Sequence, residues 1–230
     1  PTERVTAMRL QINGARASGP ARSVPFLLAI AWLAANSVLA QQPTEGLVAY
    51  WPFDEFKDKV TSDVSGHGND LIVTASLQVK GVRNTGLEMT ELDSSARCIV
   101  SRVQPPAEAL TLEAWVKPRA VGFVDYPTII RKDSAYALRF GGTRLAFLLW
   151  FEGKPIYLES AKTDWVADQW YHLAATYDGA QMRLFIDGAE DSNSPREQKG
   201  AVDTSLDNCA IGAGAGGGGG RGERRVRRCG

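Results

Sequence analysis

Short apolar segments separated by turn residues recur along the chain between Gly46 and Gly212, and no long stretch between them has helical periodicity. A succession of short strands with turns at such spacing is typical of an antiparallel β-sandwich or barrel. The pattern predicts strands over residues 47–53, 70–73, 97–100, 110–117, 128–132, 136–140, 144–151, 156–160, 170–177, 181–187 and 208–212.

Glycine-containing dipeptides between these segments predict hairpins. Asp178-Gly179 separates segments 170–177 and 181–187, and an Asp-Gly pair favours a type I′ turn because both central residues need positive φ. Asp187-Gly188 follows the next segment, and Gly141-Gly142 separates 136–140 from 144–151. We therefore expect antiparallel pairs of strands that are adjacent in sequence.

Segment 144–151 is apolar on both of its sides. A strand with this pattern is either central and covered on both faces, or has a second face that lines a ligand groove. One side carries Leu145, Phe147, Leu149 and Phe151, and the other carries Ala146, Leu148 and Trp150.

Five ordered segments resemble the laminin-G-like jelly-roll family of the concanavalin A-like superfamily. The resemblance implies an all-β, antiparallel two-sheet jelly-roll sandwich, commonly one module of a larger secreted or cell-surface protein that binds carbohydrate or protein. After Gly212 the family normally continues into a last strand with an acidic pair, whereas this chain has a glycine run and arginines. We therefore expect the domain to lack its last strand, because residues 213–230 form either a flexible tail or a frameshifted sequence. The matching segments are 47–54, 63–71, 110–118, 170–174 and the 178–188 hairpin.

The first forty residues have the pattern of an export signal. From Met8, arginines precede the apolar run 24–35, and Val38-Leu39-Ala40 fits a cleavage site. The run is too short to span a bilayer, which takes about 20 residues. We expect residues 1–40 to be upstream residues plus a signal peptide, 41–212 to be the folded domain, and the protein to be secreted or held in the cell envelope.

The net charge of zero hides a difference between the ends and the middle. Of the 26 basic and 26 acidic residues, nine basic and two acidic ones lie in 1–40 and 213–230. The middle therefore carries 17 basic and 24 acidic residues, a net charge of −7. This balance disfavours nucleic acid and anionic lipid as partners, and favours cations and neutral ligands.

Cysteines and histidines suggest little chemistry on their own. Export would allow a disulfide between Cys98 and Cys209, with Cys229 left over, although two buried small residues are the better interpretation. His67 lies between glycines and is expected to be a turn residue, and His172 a hydrogen-bonded strand residue.

Oxygen-bearing side chains near the start of the domain suggest calcium. Asp54, Asp63 and Asn69 lie around two glycine-containing turns, and hard oxygen ligands suit Ca²⁺. The resemblance implies that Asp54 and Asn69 are ligands partnered by the acidic pair of the last strand. The alternative is that Asp63 and Asn69 only cap turns through hydrogen bonds to the backbone.

Aromatic residues suggest a sugar-binding face. By resemblance Trp51, Trp115 and Trp170 are expected to be buried. Loop 123–126 is a second possible contact surface. The remaining candidates for ligand binding are the aromatic residues Tyr136, Trp150 and Tyr157, with Arg139 and Glu152 as polar partners.

Catalysis is not supported by the motifs. Glycoside hydrolysis needs two carboxylates across the scissile bond, and no Glu-x-Asp-x-x-Glu segment, the arrangement of the laminarinase-like branch, occurs here. No Gly-x-Ser-x-Gly motif occurs either. We expect a noncatalytic, monomeric binding module for carbohydrate or extracellular protein. The alternatives are a structural or protein-interaction jelly roll, and an accessory module of a glycan-active enzyme.

Overall fold

A computed structural model describes residues 46–89, 94–98, 108–122 and 127–212, together with the backbone of residues 5–13. The described part is all-β and antiparallel, which confirms the predicted fold class. Each of the predicted segments overlaps a strand. The strands are β1 (Val5–Asn13), β2 (Leu47–Trp51), β3 (Val60–Thr61), β4 (Leu71–Thr74), β5 (Ser76–Lys80), β6 (Thr85–Met89), β7 (Ser95–Cys98), β8 (Leu110–Pro118), β9 (Thr128–Lys132), β10 (Tyr136–Gly141), β11 (Arg144–Phe151), β12 (Lys154–Glu159), β13 (Tyr171–Tyr177), β14 (Gln181–Ile186), β15 (Ala189–Glu190), β16 (Arg196–Glu197) and β17 (Ala210–Ile211).

The strands form two sheets. Sheet A has the order β15-β14-β13-β8-β1-β6-β5, with β16 also paired to β14 and β2 to β1. Sheet B has the order β12-β11-β10-β9-β17-β7-β4-β3. Within the described ranges, no helix has the length and apolar character needed to cross a membrane.

One apolar core contains side chains from both sheets. Along β8 every second residue is buried, which is the alternation expected of a strand with one face on a core. Trp51, Phe53 and Phe147 are fully buried in this core. Trp51 was predicted to be buried, and its indole Nε1 donates a hydrogen bond to the carbonyl oxygen of Asn69 at 2.7 Å.

Strand β1 differs from the expectation that residues before 41 take no part in the fold. Its backbone pairs with β8 from Val5 opposite Pro118 to Asn13 opposite Thr111, and it also pairs with β2 and β6. In the sequence Met8, Leu10 and Ile12 alternate with polar residues, which is a strand signal. The predicted cleavage site and the 213–230 tail lie outside the described residues.

The hairpins lie where the sequence predicts them, but one of their turns is not of the predicted type. Asp187-Gly188 has φ values of 51° and 83° and joins β14 to β15, as a type I′ turn requires. At Asp178-Gly179 only the glycine has positive φ, so the predicted type I′ turn is wrong there. Instead, the Asp178 carboxylate accepts hydrogen bonds from the backbone N–H groups of Ala180 and Gln181, which holds a wider turn.

Candidate ligand-binding face

The side of sheet B that points away from the core, called the outer face here, is built by alternation along β10 and β11, whereas the register of β9 shifts opposite Leu138 and Arg139. In β10, Leu138 and Phe140 point into the core, so Ala137 and Arg139 point outward. Across the sheet, residues paired in register form one row on this face. From β12 to β4 the row is Tyr157, Leu148, Ala137, Arg131, Ala210, Arg97 and Ile72.

An aromatic pair lies at one end of this row. Trp150 is opposite Pro155 and Tyr157 is opposite Leu148, so the two aromatic side chains are diagonal neighbours on adjacent strands. Tyr157 is 39% exposed and Trp150 is partly exposed. Trp150 packs on an apolar cluster formed by Ala137, Ala146 and Leu148. The second apolar side of β11 thus forms a floor beside two partly exposed rings.

Arginines lie on the same face, at increasing distance from the aromatic pair. Arg131 is 9% exposed, and its Nη1 is 3.4 Å from the Oδ1 of Asp133. Arg139 is half-buried on the neighbouring strand. Arg97 is exposed, and its Nε is 3.4 Å from the hydroxyl of Ser95. Of these guanidinium groups, that of Arg139 lies on β10, two strands from Tyr157, whereas Arg131 is three strands and Arg97 five strands from Tyr157.

The structure brings together three of the five predicted ligand-binding residues. Arg139, Trp150 and Tyr157 lie on the outer face. Glu152 is exposed in the turn between β11 and β12, where Glu152 and Gly153 have φ values of 51° and 75°. The backbone N–H groups of both turn residues donate to the carboxylate of Asp203. Glu152 is therefore at the end of the face rather than on it.

Tyr136 does not belong to this face, which corrects the prediction. It has the same parity along β10 as Leu138 and Phe140, so its ring points into the core and is fully buried. Its hydroxyl donates to the Sγ of Cys209 at 3.7 Å, and burial raises the pKa of Tyr136 well above its ordinary value. Sequence reasoning missed Arg131 and Arg97, although an arginine inside the apolar segment 128–132 was a visible signal.

Two thiols lie beside Tyr136 in the core. Cys98 ends β7 and Cys209 directly precedes β17, and the backbone N–H of Cys98 donates to the Cys209 carbonyl at 2.9 Å. Both are buried and free, as the favoured interpretation expected. A hydrogen bond to Cys209 and burial raise the pKa of Cys98. The nearby Lys132 is also buried, and this burial lowers its pKa.

The predicted calcium ligands lie in two different hydrogen-bonding environments. Both oxygens of Asp63 accept hydrogen bonds, from the N–H groups of Tyr50, Ser65 and Asn69 and from the Ser65 hydroxyl, at 2.8–3.0 Å. The Asn69 amide donates to the carbonyl of Val48, while its Oδ1 is buried without a hydrogen-bond partner among the described residues.

Asp54 belongs to a separate turn. Its carboxylate accepts hydrogen bonds from Asn84 and from the backbone and hydroxyl of Thr85 at 3.2–3.3 Å. Within the part of the chain that the structure describes, no group of three or more Asp, Glu, His or Cys side chains is placed to hold a metal ion. The role of Asp54, Asp63 and Asn69 in binding Ca²⁺ therefore stays a prediction.

The outer side of sheet A carries a different set of side chains. His172 Nε2 is 2.8 Å from Glu113 Oε1, and its ring centroid is 5.0 Å from that of Trp115. Lys117 Nζ lies 5.6 Å from the ring centroid of Trp170. Trp115 and Trp170 are partly exposed, so the expectation that they are buried is wrong. Each ring has a face or edge already covered by a neighbouring side chain.

Comparison with known proteins now identifies the fold family. A family model of laminin-G type, described as the concanavalin A-like lectin/glucanases superfamily, matches residues 93–223, more than half of the chain. The chain belongs to this laminin-G-like family. Pappalysin-1 of Mus musculus is 29% identical over 125 residues, which are 46% of this chain and only 8% of that protein. The chain thus corresponds to a small part of that relative.

Two solved structures are similar to the chain at low sequence identity. The binding domain of Paraclostridial Mosquitocidal Protein 1 is 15% identical, with a TM-score of 0.55 over 68% of this chain and 42% of that chain. Domain 4 of AbnA, a GH43 extracellular arabinanase from Geobacillus stearothermophilus in complex with arabinotriose, is 19% identical, with a TM-score of 0.48 over 66% of this chain and 77% of that chain. At 15% identity, the likeness to the mosquitocidal binding domain concerns the fold alone.

Proposed function

We propose that this laminin-G-like domain is a noncatalytic carbohydrate-binding module of an extracellular protein, and that the outer face of sheet B binds the sugar. The observation that carries the proposal is the aromatic pair Trp150 and Tyr157. The two rings lie on adjacent strands, are partly exposed and border an apolar floor. An aromatic ring face complements the apolar face of a pyranose, and a small number of polar groups around the ring fix the orientation of the sugar.

Polar groups around the pair suit sugar hydroxyls. Arg139 is half-buried beside the floor, and Glu159 lies opposite Ala146 at its edge. A guanidinium donates hydrogen bonds and a carboxylate accepts them, so the two groups together suit sugar hydroxyls, which are both donors and acceptors. Membership of the concanavalin A-like superfamily agrees with this proposal.

A binding role rather than catalysis is supported by where the carboxylates are. Asp63, Asp178 and Asp203 accept hydrogen bonds from backbone N–H groups in turns. Asp133, next to the proposed face, is paired with Arg131. Glycosidases need two carboxyl groups facing one scissile bond, one of them able to donate a proton. These carboxylates instead stabilise turns or neutralise an arginine.

The test is a glycan array probed with the full chain, followed by titration of the best-bound glycan. Trp150→Ala and Tyr157→Ala are each expected to weaken binding about tenfold or more, because aromatic anchors carry a large share of binding energy. Trp170→Ala, a partly exposed tryptophan on sheet A, is the matched control and should bind as the wild type does. The proposal fails if no glycan binds, or if Trp170→Ala weakens binding as much as Trp150→Ala.

A further inference from the structure

We infer that Cys98 and Cys209 form a site of covalent modification, at which a small-molecule disulfide oxidises the two thiols to an intrachain disulfide while the chain folds. The new bond fastens β17, the last strand that the structure describes, to β7. The inference goes beyond the proposed sugar binding and does not depend on it. It starts from two thiols that are free in the structure but lie side by side.

The register between β7 and β17 places the two cysteines opposite each other. Ala210 pairs with Arg97, so one residue further along the same register Cys209 faces Cys98. The backbone N–H of Cys98 donates to the Cys209 carbonyl at 2.9 Å, so the pairing continues to this point. Opposite residues of an antiparallel pair have Cα atoms about 4.5–5.5 Å apart, and a disulfide takes Cα separations of about 4.4–6.8 Å. The backbone therefore already has the separation that a disulfide requires.

Both thiols also point to the same side of sheet B. Ala96 and Ile211 are core residues, and each cysteine lies two positions from one of them, hence on the same face of its strand. The side chains of Cys98 and Cys209 are hydrogen-bonded to each other, so the two sulfur atoms are neighbours. Since Cβ vectors that point apart prevent a disulfide, the shared face is a second requirement that this pair meets.

Other chemistry of a thiol pair fits these two residues less well. Redox-sensing and catalytic cysteines are solvent-accessible, whereas Cys98 and Cys209 are buried in the core. Structural zinc sites use four ligands, and among the described residues no group of three or more His, Cys, Asp or Glu side chains is placed to hold a metal ion. A structural disulfide needs only the two adjacent sulfur atoms.

Closure needs an oxidant, and a small-molecule disulfide such as oxidised glutathione supplies it. The thiolate of one cysteine attacks a glutathione sulfur, which breaks the glutathione disulfide and releases one reduced glutathione. The other thiolate then attacks the mixed disulfide, forms the bond between Cys98 and Cys209, and releases the second reduced glutathione. The two thiol protons end on the two released glutathiones, so the electrons and protons balance. Because the folded core covers both thiols, the exchange takes place during folding.

The position of the pair gives the bond a clear structural effect. Strand β17 has only two residues, yet it lies between β9 and β7 in the middle of sheet B. A bond from Cys209 to Cys98 ties this short strand to its neighbour and closes a loop of about 110 residues in the unfolded chain. Closing a loop of this length restricts the unfolded chain strongly, so the oxidised domain should melt about 10 °C higher than the reduced one.

The experiment refolds the full chain from denaturant, once with oxidised and reduced glutathione and once with excess dithiothreitol. Free thiols are then alkylated under denaturing conditions and located by peptide mass spectrometry. We expect the chain refolded with glutathione to lack two hydrogen atoms, to be unalkylated at Cys98 and Cys209, and to yield one peptide pair joined by a disulfide. Its melting temperature should be about 10 °C above that of the reduced chain.

Variants assign the bond to this pair of thiols. Cys98→Ala and Cys209→Ala should each remove both the mass loss and the oxidant-dependent increase in melting temperature. Cys229→Ser is the matched control, because it removes the third cysteine and should keep both effects. The comparison is made between oxidised and reduced samples of one variant, so a general loss of stability in an alanine variant does not affect it.

Three results would overturn the inference. One is alkylation of both Cys98 and Cys209 after refolding with glutathione, and another is a stable bond from either of them to Cys229 or to glutathione. The third is a disulfide between the two that leaves the melting temperature unchanged or lower. None of these measurements involves a sugar, so failure of the disulfide leaves the proposed function untouched, and an empty glycan array leaves the disulfide untouched.

Discussion

The two sheets differ in how their strands are distributed along the chain. In sheet B, β9 to β12 follow one another in sequence and pair in the same order, so most of the outer face is built from local hairpins. In sheet A, residues 5–13 pair with residues 111–118. Local pairing costs little loop-closure entropy, whereas pairing across such a separation costs more.

Sheet A therefore depends on a strand that is distant in sequence, whereas most of the outer face of sheet B does not. Without β1, the edges of β2, β6 and β8 that pair with it would have unpaired backbone groups. The β9–β12 hairpins in sheet B do not include β1. Stability is therefore expected to depend on β1 through sheet A, while the geometry of the outer face depends on sheet B.

Removal of residues 1–13 is the largest change that tests this comparison. The shortened chain would leave unpaired the edges of three strands of sheet A, β2, β6 and β8. We expect a loss of about 5 kcal/mol or more in the free energy of unfolding, comparable to the whole stability of many domains. Urea unfolding and size-exclusion chromatography measure the loss and the aggregation that follows from it.

A chain shortened by 13 residues at its other end is the length-matched control for this deletion. Cleavage after Ala40, which the sequence predicts, would also remove β1, so the experiment shows how a processed domain behaves. Equal unfolding curves for the full chain and the chain without residues 1–13 would show that β1 does not stabilise sheet A.

Asp63→Ala is expected to have the next largest effect. The change leaves three backbone N–H groups and one hydroxyl without their shared acceptor, in a turn that is largely buried. We expect a loss of about 3 kcal/mol, since unsatisfied buried donors cost about 1–3 kcal/mol each and some will find water. Chemical denaturation provides the measurement.

Asp54→Ala is the matched control, because Asp54 caps the β5–β6 hairpin from a more exposed turn and should cost about 1 kcal/mol. Melting both variants with millimolar Ca²⁺ and with a chelator also tests the calcium prediction. A calcium-dependent stabilisation of the wild type that disappears in both variants would show that the two turns share a metal.

Tyr136→Phe tests the core beneath the outer face. In the folded chain the Tyr136 phenol stays neutral at pH values above its ordinary pKa of 10.0, because burial raises its pKa. In the unfolded chain the same phenol ionises at these pH values. The unfolded state then binds fewer protons than the folded state, so stability falls as pH increases above 10. One such group contributes a slope of up to about 1.4 kcal/mol per pH unit.

The measurement is the free energy of unfolding between pH 9 and pH 11. Tyr136→Phe should have a shallower decrease than the wild type over this range, while Tyr157→Phe makes the same chemical change on the outer face and is the control. Parallel curves for Tyr136→Phe and the wild type would contradict a buried, neutral phenol.

Much of the fold was predictable from the sequence, because alternation and glycine turns are local signals. They located β8 to β14 closely, since each of these strands is bounded by turn residues. They missed β1, whose pairing partner lies about a hundred residues away. Tyr136 was misplaced because an aromatic residue at a strand's start does not reveal which side of the strand faces the core.

The candidate site was harder to predict than the fold. Arg131 becomes notable only when the register places it between Ala137 and Ala210, and register across β17 depends on tertiary structure. Trp150 was predictable because the polar and apolar pattern of its own strand already shows two apolar sides. The sequence pattern was thus enough to suggest the aromatic residues of the outer face, whereas its arginines could be placed only from the strand pairing.

The smallest effect is expected from Glu113→Gln on the outer side of sheet A. The Glu113–His172 pair is partly exposed, with side chains 35% and 24% accessible, and such pairs contribute about 0.5 kcal/mol. Because the pair lies on the sheet opposite the proposed face, glycan affinity should be unchanged within twofold, measured by the same titrations as for Trp150→Ala. A tenfold loss of affinity would instead place ligand binding on sheet A, where Trp115 stacks beside His172, and would leave sheet B with a purely structural role.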